Sequence, residues 1–266
     1  MSVWISLYVA IVSKESRRFL TYRSNIISGL LTAVFTLAVR YALWSALFMT
    51  GNAQGSTLKE TISYYIISDL LLMWLNSSYS NMIGADIRSG DIATRLIKPV
   101  PYHLHMIAVF HANALLKTVT RTIPAFVIAC ALIGLLPPIS ASAFACFIVT
   151  SLLSAVIYTL IDLIISYTAF WLTDYWYIEW LKYSLFALFG GIAIPLWFYP
   201  SWAGVICAYL PFRYTAYQPM AFYLGRESPG SIGFSIGIQL LWIAVLFALE
   251  RFVWSRAQKK LTVQGG

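Results

Sequence analysis

Arg40, Asp69, Lys117 and Asp162 fall inside runs that are otherwise apolar. A charge in such a run costs roughly 2.5–3.5 kcal/mol on insertion scales, so each marks an ion pair or a functional contact. Arg40 stands nine residues before the end of its run at Met49, and Asp69 eight residues after the start of the next at Thr61. At a helical rise of 1.5 Å per residue both lie about 12–14 Å deep, which lets them pair across antiparallel neighbours. Lys117 and Asp162 form a second expected pair, toward the opposite side. Structurally, each pair locks two helices; functionally, each is a relay or a substrate contact. Two isolated pairs do not build a proton path.

Other chemistries find little support. His103, His105 and His111 are the three histidines. On a helix they spread over more than one face, without an H-E-x-x-H spacing, so no metal site is expected. Cys130, Cys146 and Cys207 lie in apolar stretches and read as buried thiols. A phosphate-binding P-loop needs a glycine directly before its lysine, and none of the seven lysines has one. Carboxylates are scattered, so the chain is not expected to be an enzyme, and any ATP it depends on is bound by another chain.

The elements that must position these residues are membrane spans. Of 266 residues, 60% are hydrophobic and only 11% charged, and mean hydropathy is +0.75. Soluble domains carry about 25% charged residues. The expected architecture is an all-α polytopic membrane protein, a single transmembrane domain over residues 1–266. The net charge of +8 comes without a basic run, so nucleic acid is not an expected partner; the lipid membrane is.

Residues 2–22 read as an amphipathic helix in the membrane interface, with Lys14, Arg17 and Arg18 on its basic face. Six spans come after it, about Asn25–Met49, Thr61–Ile83, a long third segment fully apolar only over Ile123–Leu136, Ala141–Trp171, Tyr183–Tyr199 and Ser231–Val253. Pro137-Pro138 ends the third. Lys14, Arg17, Arg18, Arg23, Arg88, Arg95, Lys98, Lys182, Arg251, Arg256, Lys259 and Lys260 fall on one side. Lys59, Arg213 and Arg226 fall on the other. The positive-inside rule then places both termini in the cytoplasm.

Residues 200–225 are unlike a simple loop. Gly190, Gly191 and Pro195 interrupt the fifth span, and Pro211, Phe212 and Pro219 punctuate the stretch between it and the sixth. The apolar run Ala203–Leu210 is too short to span. It is expected either as a re-entrant or interfacial helix, forming an outer gate, or as a packed outer loop.

The most informative connection, within residues 84–105, is Asp86-Ile87-Arg88-Ser89-Gly90-Asp91-Ile92-Ala93-Thr94-Arg95-Leu96-Ile97-Lys98-Pro99. Basic and apolar residues alternate as in a short amphipathic helix lying in a partner's groove or on anionic lipid.

This I-R-x-G-[DE]-I/L…L-x-K-P pattern resembles the bacterial type-2 ABC exporter permeases, in their standalone six-span subgroup. Leu210-Pro211-Phe212, Gln218-Pro219, Tyr223-Leu224-Gly225 and the tail Val263-Gln264-Gly265-Gly266 share in the resemblance, which covers nearly the whole chain. It implies a permease subunit in a bacterial cytoplasmic (inner) membrane, facing a second permease, identical or homologous. Two copies of an ABC ATPase would carry ATP and Mg, with no cofactor on this chain. They would dock through Arg17, Arg18 and the 86–98 helix, including Asp86, Ile87, Arg88, Gly90, Asp91, Arg95 and Lys98. Spans one, two and five would line a path for a hydrophobic or amphipathic cargo moving out of the cytoplasm or inner leaflet. The competing expectations are an ion-gradient-driven carrier using Asp69 and Asp162, and a non-transporting scaffold or immunity protein.

Overall fold

The computed structural model describes residues 9, 10, 13, 23–51, 55–73, 79–97, 102–172 and 176–260. The interfacial helix expected over 2–22, with Arg17 and Arg18, lies outside the described residues apart from isolated helical positions, as do Lys98 and Pro99. Among the described residues the chain is helical throughout, with no strand. The helices are α1 (Arg23–Met49), α2 (Leu58–Met73), α3 (Tyr79–Ser89), α4 (Asp91–Leu96), α5 (Tyr102–Lys117), α6 (Ile123–Ile133), α7 (Ala141–Tyr167), α8 (Trp176–Phe189), α9 (Ser201–Ala208), α10 (Tyr217–Tyr223) and α11 (Ile232–Gln258).

Among the described residues, four helices are long and apolar enough to cross a membrane: Ile26–Met49, His105–Ile133, Ala141–Phe170 and Pro229–Gln258. At 27 residues, α1, α7 and α11 each extend about 40 Å, beyond the roughly 30 Å of a hydrocarbon core. Leu31 and Phe35 of α1, Leu132 of α6, Leu152 of α7 and Phe234 of α11 stand exposed. Such faces suit lipid, which satisfies apolar surface but offers backbone groups no hydrogen bonds.

α7 is the hub. The Ser140 hydroxyl accepts from the Ala143 amide at 3.1 Å, starting α7 just after the proline pair as a serine N-cap does. Ile157, Tyr158, Ile161 and Tyr167 of α7 share one core with Ile83 of α3, Met106 and Phe110 of α5 and Leu246 and Trp254 of α11. Gln239 of α11 donates to the Thr150 carbonyl of α7 at 3.1 Å and to the Tyr214 carbonyl at 3.3 Å. These polar ties fix the register of two otherwise greasy surfaces.

The third segment is longer than its apolar stretch implied. α5 runs into α6 without a loop, through a widened π turn at Thr118–Thr122. Pro124 explains the turn: it lacks an N–H, and its ring crowds the carbonyl four residues back. A π turn absorbs that misfit without breaking the helix. Thr118 and Thr120 bond back to the Ala114 and Leu116 carbonyls at 2.8 and 2.7 Å.

Within the expected span Thr61–Ile83, α2 is described to Met73 and α3 from Tyr79, and residues 74–78 lie outside the described residues. One expected boundary is corrected. The fifth segment is not a helix over Tyr183–Tyr199. α8 starts at Trp176 and stops at Phe189, where Gly190 follows and Gly191 adopts φ +76°. A Cβ on Gly191 would stand 2.9 Å from the Tyr64 hydroxyl oxygen, so only glycine fits this exit. Tyr64 and Tyr65 of α2 donate to the Gly191 and Ala193 carbonyls at 2.9 and 2.7 Å, capping the broken end.

Beyond the break the chain forms short pieces. Pro195 precedes a 3-10 turn at Leu196–Phe198, and Pro211 opens another at Pro211–Tyr214. Phe212 packs edge-on against Phe186 of α8, with ring centres 5.2 Å apart. Pro219 lies in α10, whose residues from Gln218 to Tyr223 are all buried. Arg226 ties this region to the start of α2 through Glu60 at 2.6 Å.

Candidate functional site

Among the described residues, two places bring together charged residues that the sequence singles out. The first is a cavity of about 300 Å³ between α1, α2, the α5–α6 helix, α7 and α8. Arg40 Nη1 lies 2.6 Å from Asp69 Oδ2 on its wall, and the guanidinium also covers the Tyr65 ring at 4.8 Å. The other expected pair does not form as assigned. Asp162 is fully enclosed and bonds Lys182 Nζ at 2.7 Å, and Lys182 also reaches Glu179 Oε2 at 3.0 Å. Because α8 begins well before Tyr183, Lys182 is a helical residue carried against α7, not part of a connector. Lys117 closes α5 one turn before Arg121.

The wall carries a further charge whose setting spacing alone could not show. Arg121 sits in the π turn, and its Nε donates to the Gly29 carbonyl of α1 at 2.7 Å. A Cβ on Gly29 would meet Arg121 Nε at 2.6 Å, so the bare glycine is what admits the guanidinium. The signal in the sequence is faint: one glycine in an apolar helix, and a proline three residues after an arginine.

The second place is the bend between α3 and α4. Gly90 takes φ +75° there, a conformation that favours glycine. Asp86 is buried beneath the bend. It accepts from Arg95 of α4, Nη2 to Oδ1 3.0 Å, and from the Tyr102 hydroxyl, 3.0 Å to Oδ2. The burial pushes the Asp86 carboxyl above the ordinary carboxylate range, against the opposing pull of Arg95 and Tyr102. Burial, and then the Asp86 charge, push Tyr102 upward as well.

Tyr102 also stacks on Trp254 of α11, with ring centres 5.9 Å apart and planes 7° apart. Trp254 meets the Tyr167 ring of α7 at 4.9 Å, and the Tyr167 hydroxyl donates to Glu250 of α11 at 3.0 Å. A continuous series of contacts thus joins the bend to the ends of α7 and α11. Of the residues expected to face a partner, Asp86 and Ile92 are turned inward, and Arg95 is taken up by Asp86. Asp91 and Gly90 are exposed, Ile87 is half-buried, and Ile97 is 84% exposed. Arg88 lies in α3, with its side chain outside the described set.

Long apolar helices enclosing a charged cavity, with a sharply bent helical pair at one end of the bundle, define a multi-pass membrane protein. The chain matches the family model for ABC-2 family transporter proteins over residues 9–265, and it belongs to that family. It is therefore the membrane component of an ABC transporter, a permease subunit that works with an ABC ATPase. A comparison with curated proteins finds no match.

Proposed function

We propose that this permease exports a hydrophobic or amphipathic substrate from the cytoplasm or inner leaflet of a bacterial inner membrane. Six crossings complete the architecture: the four long helices, α2 with the residues leading to α3, and α8 with the short pieces after Gly191. Both termini face the cytoplasm, following the distribution of Lys and Arg. A second permease, identical or homologous, closes the pathway, and ATP and Mg²⁺ are held on two ATPase copies.

The observation that carries this reading is the bend at Gly90 and its ties through Tyr102 and Trp254 to α7 and α11. A push on α4 reaches two long helices through a buried carboxylate and packed rings. Exposed Asp91 and Ile97, at the two ends of α4, offer the ATPase a charge and an apolar side chain. The ion-gradient reading is not favoured, because Asp69 and Asp162 are both engaged by a cation.

The test is a mild-detergent pull-down of the tagged chain from its host, comparing wild type with Ile97→Asp and Arg88→Glu. Wild type is expected to recover a P-loop ATPase, and both variants to lose it while eluting as folded protein. An ATPase retained at wild-type level by both variants overturns the docking assignment. A wild-type chain that never recovers one overturns the exporter reading.

A further inference from the structure

Among the cationic side chains on the cavity wall, Arg121 is set apart. Arg40 is matched by Asp69, and Lys182 by Asp162 and Glu179. Among the described residues no carboxylate lies within ion-pair distance of Arg121; only its Nε is committed, to the Gly29 carbonyl. A guanidinium has five N–H donors, so the four on its two Nη atoms remain for a ligand in the cavity. The π turn that carries it lies near the middle of His105–Ile133, where a lone charge is costly. Guanidinium geometry matches carboxylate and phosphate oxygens two at a time.

We infer that the cavity binds the anionic headgroup of an amphiphile, with Arg121 as the residue that engages the phosphate or carboxylate. Phe126 and Phe186 line the same space and accept the first carbons of its apolar part. Exposed Thr32 and Thr36 of α1 also line it, so the cavity is continuous with the outer surface of the bundle and the rest of the apolar chain extends outward. A volume of about 300 Å³ suits a headgroup rather than a whole lipid. This names the cargo or regulator class for the permease reading and rests on that reading for its role, but not for the binding itself.

The test therefore uses the full-length permease alone, in a neutral maltoside detergent, with no ATPase present. Native mass spectrometry reads binding of dodecyl phosphate, dodecanol, phosphatidylglycerol and inorganic phosphate. Wild type is expected to retain dodecyl phosphate, with Arg121→Gln weakening it roughly ten- to hundred-fold, the range of a charged hydrogen bond. Gly29→Ala, which keeps the charge but pushes the guanidinium off its seat, should weaken it in the same direction. Lys59→Gln, on an exposed lysine that does not line the cavity, should not. Should Arg121→Gln fail to fold, Gly29→Ala carries the comparison.

Dodecanol bound as tightly as dodecyl phosphate overturns the proposal, as does equal affinity in wild type, Arg121→Gln and Gly29→Ala. Inorganic phosphate competing as well as dodecyl phosphate overturns the amphiphile part. Phosphatidylglycerol retained more tightly than dodecyl phosphate supports it with the bilayer as source, and the reverse order supports it with a free amphiphile as source. A lost ATPase interaction leaves these outcomes unmoved, so the two readings fail separately.

Discussion

Lys182 donates to Asp162 at 2.7 Å across the α7–α8 contact, with Asp162 fully enclosed and the lysine side chain 7% exposed. The lysine holds a short, broken helix against α7, the most buried of the four long helices. Removing one partner of such a pair leaves an uncompensated charge and costs about 3–5 kcal/mol, whereas replacing both by apolar residues is often neutral. Lys182→Met is therefore expected to lower the Tm in detergent sharply. The double variant Lys182→Met/Asp162→Leu should recover most of the loss; a double variant worse than the single would show that the pair does not set the stability of this contact.

Arg40 and Asp69 join α1 to α2, but the Asp69 side chain is 43% exposed. A smaller coupling is therefore expected, about 1 kcal/mol. Thermal denaturation of Arg40→Asp, Asp69→Arg and the exchanged double variant measures it. The double variant should be more stable than the sum of the single losses implies, and strict additivity would remove the pair as a structural tie.

The buried Asp86 gives a pH dependence of definite sign. Its folded carboxyl is held above the ordinary range, while the unfolded group titrates near about 3.9. The fold thus favours the protonated form. That contribution is fully present below the unfolded value and is lost as pH rises through the folded one. Relative to Asp86→Asn, wild type should gain Tm as pH falls from neutral toward about 4. A relative loss over that window would mean that Arg95 and Tyr102 outweigh burial.

Glycine positions separate strain from mere flexibility. Gly191→Ala must place a Cβ at φ +76° against the Tyr64 hydroxyl, and a loss of about 1–3 kcal/mol is expected. Gly204, inside α9 with nothing near its added Cβ, should tolerate alanine or gain about 0.5–1 kcal/mol. Tm values for both variants check the contrast.

The long helices were largely legible in the sequence because uninterrupted apolar runs and prolines mark them. The expectation of Asn25–Met49 meets α1 at Arg23–Met49, and Ala141–Trp171 meets α7 with its 3-10 end at Phe170. Polar residues hid the rest. His103, His105, Lys117 and Arg121 lower the hydropathy of a helix that nonetheless continues from Tyr102 to Ile133. The partner of Asp162 was misassigned because the start of α8, and so the facing of Lys182, depends on tertiary contacts. In the connection after α3, composition identified a short helix but not which side is inward. Asp86 and Arg95, read as surface charges, close on each other because Gly90 turns the chain back.

The widened turn at Thr118–Thr122 has one more consequence for the helix that contains it. Each added residue in a turn shifts the rotational phase of all later residues by about 100°. Tyr102–Lys117 and Ile123–Ile133 therefore obey two different helical wheels, and a stripe drawn along one does not continue along the other. The azimuth of Arg121 belongs to the offset itself. Deleting a single residue from this turn would restore one wheel and rotate either His111 or Ala129 away from its present neighbours, with no change in the character of either half.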